Sequence, residues 1–117
     1  METIIAYVPE SMVKGQLKEA ANAVADECAG IFGREKGTIP VMIHKTEASD
    51  GNACAGQTIV FYVYAGTKCG REIREQAAET IFQVSQKYFP GMKKENHMVI
   101  FKLHEQDAMG VNGKFEE

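Results

Sequence analysis

An internal repeat is the feature that most constrains how this chain folds. The stretch from Val41 to Gly56 (VMIHKTEASDGNACAG) resembles the stretch from Val99 to Phe115 (VIFKLHEQDAMGVNGKF), and Glu47 matches Glu105 at a separation of 58 residues. A chain of 117 residues makes one domain, or two small halves that share a core. We therefore interpret the protein as two copies of one unit, residues 1–56 and 57–117, in a single domain.

Hydrophobic periodicity predicts the order strand-helix-strand in each half. Strands rich in β-branched and aromatic residues are predicted over 3–8, 39–46, 58–65 and 98–104, and amphipathic helices over 12–32 and 71–89. Ser11 is predicted to cap the first helix and Gly33 to end it. Ile4 is matched with Ile59 at a separation of 55, and the helices match at 57. Each half then forms two parallel strands joined by a right-handed crossover helix.

The strand compositions predict self-association. The third strand, TIVFYVYA, does not alternate between apolar and polar residues, so both of its faces require burial. Two helices can cover only one face of a four-stranded sheet. A second copy of the protein is the simplest cover for the other face, and we expect an oligomer.

Composition excludes several classes of partner and cofactor. The net charge of −3 comes from mixed signs without a basic patch, so no nucleic-acid partner is expected. No apolar run reaches the roughly 18 residues of a membrane span, and no basic segment precedes the first apolar run. The three cysteines have neither disulfide nor metal-ligand spacing, which predicts a cytoplasmic protein without a metal or other cofactor.

The chain resembles the tautomerase superfamily in its tandem strand-helix-strand order and its tail. That superfamily includes 4-oxalocrotonate tautomerase, 5-carboxymethyl-2-hydroxymuconate isomerase and macrophage migration inhibitory factor. Glu105 is followed by Gly110-Val111-Asn112-Gly113, and MGVNGKF is similar to the short C-terminal strand of the inhibitory factor. The resemblance implies an α/β (α+β) fold, a four-stranded mixed sheet with two helices on one face, packed as a homotrimer with sites between subunits. It also implies proton transfer on a small keto or enol acid, with an amino-terminal proline as the base.

The sequence departs from this pattern at the position of the base. The position after Met1 is Glu2, and the matching start of the second half is Gln57, so neither position supplies a proline. The Met1 α-amine is then a candidate catalytic base, since an unperturbed α-amine titrates near a pKa of ~8. Arg34 keeps the charge of a lysine that the inhibitory factor places after its first helix, which implies a contact with a small carboxylate ligand.

Four further residues are predicted to contribute to the site. Lys102 and His104 alternate on one face of the last strand, and His44 shares their parity through the 58-residue repeat. Lys102 is a candidate catalytic base or Schiff-base amine, and His44 and His104 are candidate ligand contacts. The simpler interpretation is that they are polar residues at strand ends. Tyr64 lies near the end of the third strand, where the resemblance implies pocket residues.

Three functions stay open from the sequence. The first is an atypical tautomerase that acts on a small keto or enol acid without proline. The second is a non-catalytic trimer that binds a small anion or a protein. The third is a ferredoxin-like ligand-binding or regulatory domain, with an antiparallel sheet and dimeric assembly. The segment from Gly110 to Phe115 is expected to reach a neighbouring subunit and pair with its sheet edge.

Overall fold

The computed structural model describes residues 2–115, which form a four-stranded sheet with two helices on one face. The sheet strands are β1 (Thr3–Pro9), β2 (Val41–Thr46), β3 (Ile59–Gly66) and β4 (His97–His104), and the helices are α1 (Leu17–Ile31) and α2 (Arg71–Tyr88). A hairpin of β5 (Gly110–Val111) and β6 (Lys114–Phe115) follows. The predicted order of elements is confirmed.

The sheet is mixed, with the strand order β2-β1-β3-β4. β1 is parallel to β2 and β3 is parallel to β4, as expected for crossover helices, whereas β1 and β3 are antiparallel. This topology confirms the expected architecture. It contradicts the ferredoxin-like alternative, which requires an antiparallel sheet throughout.

One face of the sheet and the two helices enclose the core. Alternate residues of the central strands, including Ile4, Phe61 and Val63, are buried against α1 and α2. The helices contribute small and β-branched side chains such as Val24 and Ile81, which allow close approach to the sheet. The period of two along the strands therefore fixes which side chains remain on the other face.

Helix α1 begins five residues later than the sequence predicted. Ser11 lies in a single 3-10 turn over Glu10–Met12 and caps no α-helix. Gly15 adopts a φ of +84°, a left-handed conformation that interrupts the chain before Leu17. Gly33, with a φ of +68°, ends the helix as predicted, and the Arg34 N–H donates to the Ala29 carbonyl at 2.8 Å.

The strand register corrects the alignment of the two halves. Tyr7 lies opposite His44, and Tyr64 lies opposite Lys102, so the central strands match at a separation of 57 rather than 55. The equivalent of Glu2 in the second half is then Ile59 and not Gln57. The error arose because Tyr7 can be matched with either Tyr62 or Tyr64, which have the same parity.

The second face of the sheet is uncovered in the single chain. It carries apolar and aromatic side chains from all four strands, among them Tyr7, Met42, Tyr62, Met98 and Ile100. Met42 and Met98 are 43% and 45% exposed. An apolar face that extends across a whole sheet is typical of a protein–protein contact. Within residues 2–115 no helix is long and apolar enough to cross a membrane.

We predict that stability falls as the pH drops below about 6.5, the usual pKa of histidine. His97 packs between Phe61 and Phe82 and shares a 2.9 Å hydrogen bond with Ser85, and burial lowers its pKa. Below the unfolded-state pKa the unfolded chain therefore binds the proton first, which favours unfolding. Because the ring is partly solvated, the free energy of unfolding should change with pH by less than roughly 1.4 kcal/mol per pH unit, the value for a difference of one bound proton between the unfolded and folded states.

Denaturant unfolding at fixed protein concentration between pH 5 and 8 measures this effect. His97→Phe should flatten the pH dependence, while Ser85→Ala should lower stability and leave a histidine that still titrates. An unchanged pH slope in His97→Phe would contradict the assignment.

Candidate functional site

A cavity of about 270 Å³ lies at the start of β1. The antiparallel pairing of β1 with β3 places Thr3 opposite Tyr64, so the start of β1 meets the β3–α2 loop. The cavity wall contains three charged residues, several polar groups and an apolar side: Glu2, Arg34, Lys68, Thr67, Gln106, Phe32, Ile73, Cys69 and Gly66. Mixed polar and apolar walls of this kind suit a small polar ligand.

The centre of this wall is an ion pair between Glu2 and Arg34. The Arg34 Nε donates to Glu2 Oε1 at 2.8 Å, and Nη2 lies 3.5 Å from Oε2. The Glu2 side chain is 11% exposed and the Arg34 side chain 47%. Gly33 positions the arginine, because its left-handed turn directs the chain from the end of α1 back toward β1. Arg34, predicted to contact a ligand carboxylate, lies in this wall in contact with the Glu2 carboxylate.

Cys69 lies in the same wall and is not suited to nucleophilic chemistry. Burial raises the pKa of its thiol, the negative charge of Glu2 raises it further, and Arg74 acts in the opposite direction. A reactive cysteine requires a thiolate that neighbouring positive charge stabilises. Among residues 2–115 no group of three or more His, Cys, Asp or Glu side chains is arranged to hold a metal ion.

Tyr64, Lys102 and His104 lie near this end of the sheet but on its uncovered face. Tyr64 is opposite Lys102, and the Lys102 ammonium lies 5.8 Å from the centre of the Tyr62 ring. None of the three predicted residues is part of the wall of the 270 Å³ cavity. Their place in a site between subunits stays a prediction.

His104 also carries a buried polar atom without a partner. Its Nδ1 lies 3.2 Å from the Glu105 carbonyl oxygen. Its Nε2 is buried and has no hydrogen-bond partner among the described residues.

His44 does not join the other predicted site residues. It stacks on Tyr7, with ring centres 5.4 Å apart. Tyr7 lies four residues along β1 from Thr3, so His44 is about 13 Å from the start of that strand. The repeat makes His44 the counterpart of Lys102, but the antiparallel central strands place these counterparts at opposite ends of the sheet. Their equal parity along the strands places His44 and Lys102 on one face of the sheet, but they do not lie close together within one chain.

A second cavity, of about 330 Å³, lies at the His44 end of the sheet. Tyr7 and Val60 form its floor, and the loop that carries Glu47, Asp50 and Asn52 forms its rim. The Asn52 side chain accepts a hydrogen bond from the Ala55 N–H at 2.9 Å and holds this loop in place. Both carboxylates are exposed, and the loop geometry accounts for the cavity.

Met1, the other candidate base, lies outside the described residues. The sequence did not indicate that the Glu2 carboxylate is paired with Arg34. The contribution of Thr67, Lys68 and Ile73 was also missed. Antiparallel pairing of the two first strands would have indicated it, because that pairing brings the β3–α2 loop to the start of β1.

Comparison with known proteins supports the fold. No known family profile matches the sequence, and no curated protein matches it either. Among solved structures, Pt0534 inactivated by 2-oxo-3-pentynoate is 17% identical, with a TM-score of 0.81 over 97% of this chain and 94% of that one. Native fused 4-OT is 12% identical, with a TM-score of 0.82 over the same shares.

The macrophage migration inhibitory factor of Trichinella spiralis is 12% identical, with a TM-score of 0.68 over 98% of both chains. These similarities confirm the expected fold: the chain has the fold of Pt0534, fused 4-OT and the inhibitory factor over nearly its whole length.

We predict that Arg34→Met destabilises the protein by about 1–3 kcal/mol, because it leaves the buried Glu2 carboxylate unpaired. The range lies below that for a fully buried pair, since solvent already reaches the arginine. Glu2→Gln should lower the free energy of unfolding by less than Arg34→Met does. The double variant with both substitutions should be more stable than the sum of the two single effects predicts. Denaturant unfolding of the four proteins measures this coupling.

The exposed Arg71–Glu75 pair, also at 2.8 Å, provides the matched control. Arg71→Met should change stability by no more than about 0.5 kcal/mol. Additive effects of the Glu2 and Arg34 substitutions would show that their ion pair does not stabilise the fold.

Proposed function

We propose that this protein is a self-associating member of the tautomerase fold that binds a small molecule beside Glu2 without proline-dependent proton transfer. The observation that carries this proposal is the buried Glu2 carboxylate paired with Arg34 at 2.8 Å. The resemblance implies a proline amine as the base and a cation as the anchor for the substrate carboxylate. Here a carboxylate follows Met1, and the cation already contacts a carboxylate of the chain itself.

Electrostatics oppose a keto acid at this position. Moving Arg34 from Glu2 to a ligand carboxylate leaves Glu2 buried without its partner, at a cost of order 1–3 kcal/mol. Leaving both carboxylates near one guanidinium adds repulsion between like charges. The ground state of the usual substrate is therefore destabilised before any proton moves.

The alternative is an atypical tautomerase that uses Met1 or Lys102. Lys102 is exposed and lies outside the cavity wall, so it would have to reach a substrate from the uncovered face. Ketonisation of phenylpyruvate by the natural protein and by Lys102→Ala tests this alternative.

Self-association is supported by the uncovered apolar face of the sheet. Solved structures with this fold include fused 4-OT described as a symmetric trimer, and we propose a homotrimer here. The hairpin of β5 and β6 turns at Asn112 and Gly113, whose φ values are 55° and 77°. It pairs with itself rather than extending as one strand, so we propose that it contacts a neighbour through the exposed Phe115.

We predict no ketonisation of phenylpyruvate above the buffer rate, measured as loss of enol absorbance. Glu2→Pro is the informative variant, because the initiator Met is removed before proline and the substitution also removes the Glu2 carboxylate. Activity in Glu2→Pro but not in the natural protein supports the proposal. Ketonisation by the natural protein that Lys102→Ala abolishes would contradict it.

We also predict that light scattering at micromolar concentration gives three times the 12.9 kDa mass of one chain. Ile100→Glu places a charge on the uncovered face and should produce monomers, since an unpaired charge cannot be buried there without a large cost. Gln83→Glu, on the exposed surface of α2, is the matched control and should leave the mass unchanged. A monomeric natural protein would contradict the proposal.

A further inference from the structure

We propose that the cavity beside Glu2 selects ligands that carry an ammonium group next to a carboxylate, as α-amino acids do, and that Glu2 determines this specificity. The inference rests on the proposed function, because it takes the cavity to be a binding site. It goes further in naming the class of ligand, which differs by one functional group from the keto acids implied by the resemblance.

The charges in the wall carry the argument. Glu2 contributes one negative charge, and Arg34 and Lys68 contribute two positive charges. A simple carboxylate would be attracted by the cations but would have to share Arg34 with a side chain that is only 11% exposed. A simple amine would contact Glu2 but would face both cations. A zwitterion places each of its charges beside the opposite charge.

Glu2 can accept a ligand ammonium without losing Arg34. An ionised carboxylate has about four lone-pair sites, and the two contacts to Arg34 use two of them. No other donor contacts this carboxylate among the described residues. The ligand ammonium would therefore add a charge-assisted hydrogen bond to the existing ion pair, and Lys68 would hold the ligand carboxylate.

The remaining walls of the cavity suit the side chain of an amino acid. Phe32 and Ile73 form an apolar side, and Ile73 is 37% exposed although it belongs to an amphipathic helix. Thr67 and Gln106 provide polar groups at the rim. A cavity of about 270 Å³ is at the small end of ligand sites and accommodates one amino acid rather than a peptide.

Titrations of the natural full-length protein, followed by NMR of backbone amides, test the inference with matched probes. The probes are phenylalanine, phenylpyruvate, 3-phenylpropionate and phenethylamine, which share one ring and differ in charged groups. Phenylalanine should bind at least tenfold more tightly than the other three and shift the signals of Thr67 and Gln106. Equal or weaker binding of phenylalanine, or no shift at millimolar concentration, would overturn the inference.

The variant Glu2→Gln should reverse the preference, because it removes the carboxylate that accepts the ammonium and leaves Arg34 and Lys68 as the charged side chains of the cavity wall. We expect 3-phenylpropionate to gain at least tenfold over phenylalanine in this variant. Glu47→Gln, which removes a carboxylate from the other cavity, is the matched control and should leave the order of affinities unchanged. The same order of affinities in Glu2→Gln and the natural protein would show that Glu2 is not the determinant.

The two proposals fail in different ways. Turnover of phenylpyruvate by the natural protein overturns the proposed function. Preferred binding of phenylpyruvate without turnover overturns the zwitterion preference and the electrostatic argument against keto acids, but not the absence of proton transfer.

Discussion

The antiparallel pairing of β1 with β3 is the constraint on which the rest of this structure depends. It joins two strand-helix-strand halves so that both helices lie on one face, and the opposite apolar face stays uncovered. It also places the start of β1 against the β3–α2 loop, where the cavity forms. The uncovered face and the cavity therefore follow from the same pairing of two central strands.

At that start of β1 the resemblance implies a proline amine, which can take a proton near neutral pH, and this chain has instead a buried carboxylate beside a guanidinium. The Glu2–Arg34 pair joins β1 to the segment that follows α1. In the proposed function the same pair also selects which ligand charges the cavity accepts.

Much of the fold could be predicted from the sequence, because the repeat and the strand periodicity depend on local patterns. The uncovered face was foreseen because TIVFYVYA does not alternate, and the end of α1 was foreseen at Gly33. The start of α1 was not, since Ser11 has the chemistry of a cap while Gly15 interrupts the backbone after it. The register error between Tyr62 and Tyr64 left the choice of face intact, because parity was preserved.

The site was less predictable, because its interactions join distant segments. Glu2 and Arg34 are 32 residues apart, and nothing in the local pattern around Glu2 indicates burial. His44 was grouped with Lys102 because the repeat relates them, but a two-fold repeat sends equivalent residues to opposite ends of a sheet. Of the predicted residues that the structure describes, only Arg34 lies in the wall of the cavity beside β1.

The most direct test of the central claim is the NMR signal of the Arg34 side-chain Nε–H group. The account predicts a slowly exchanging proton that shifts in Glu2→Gln and is unaffected by millimolar pyruvate, because the Glu2 carboxylate already accepts its hydrogen bond. A rapidly exchanging proton, or one that pyruvate shifts in the natural protein, would show that this cation is available to a keto acid and would contradict the account.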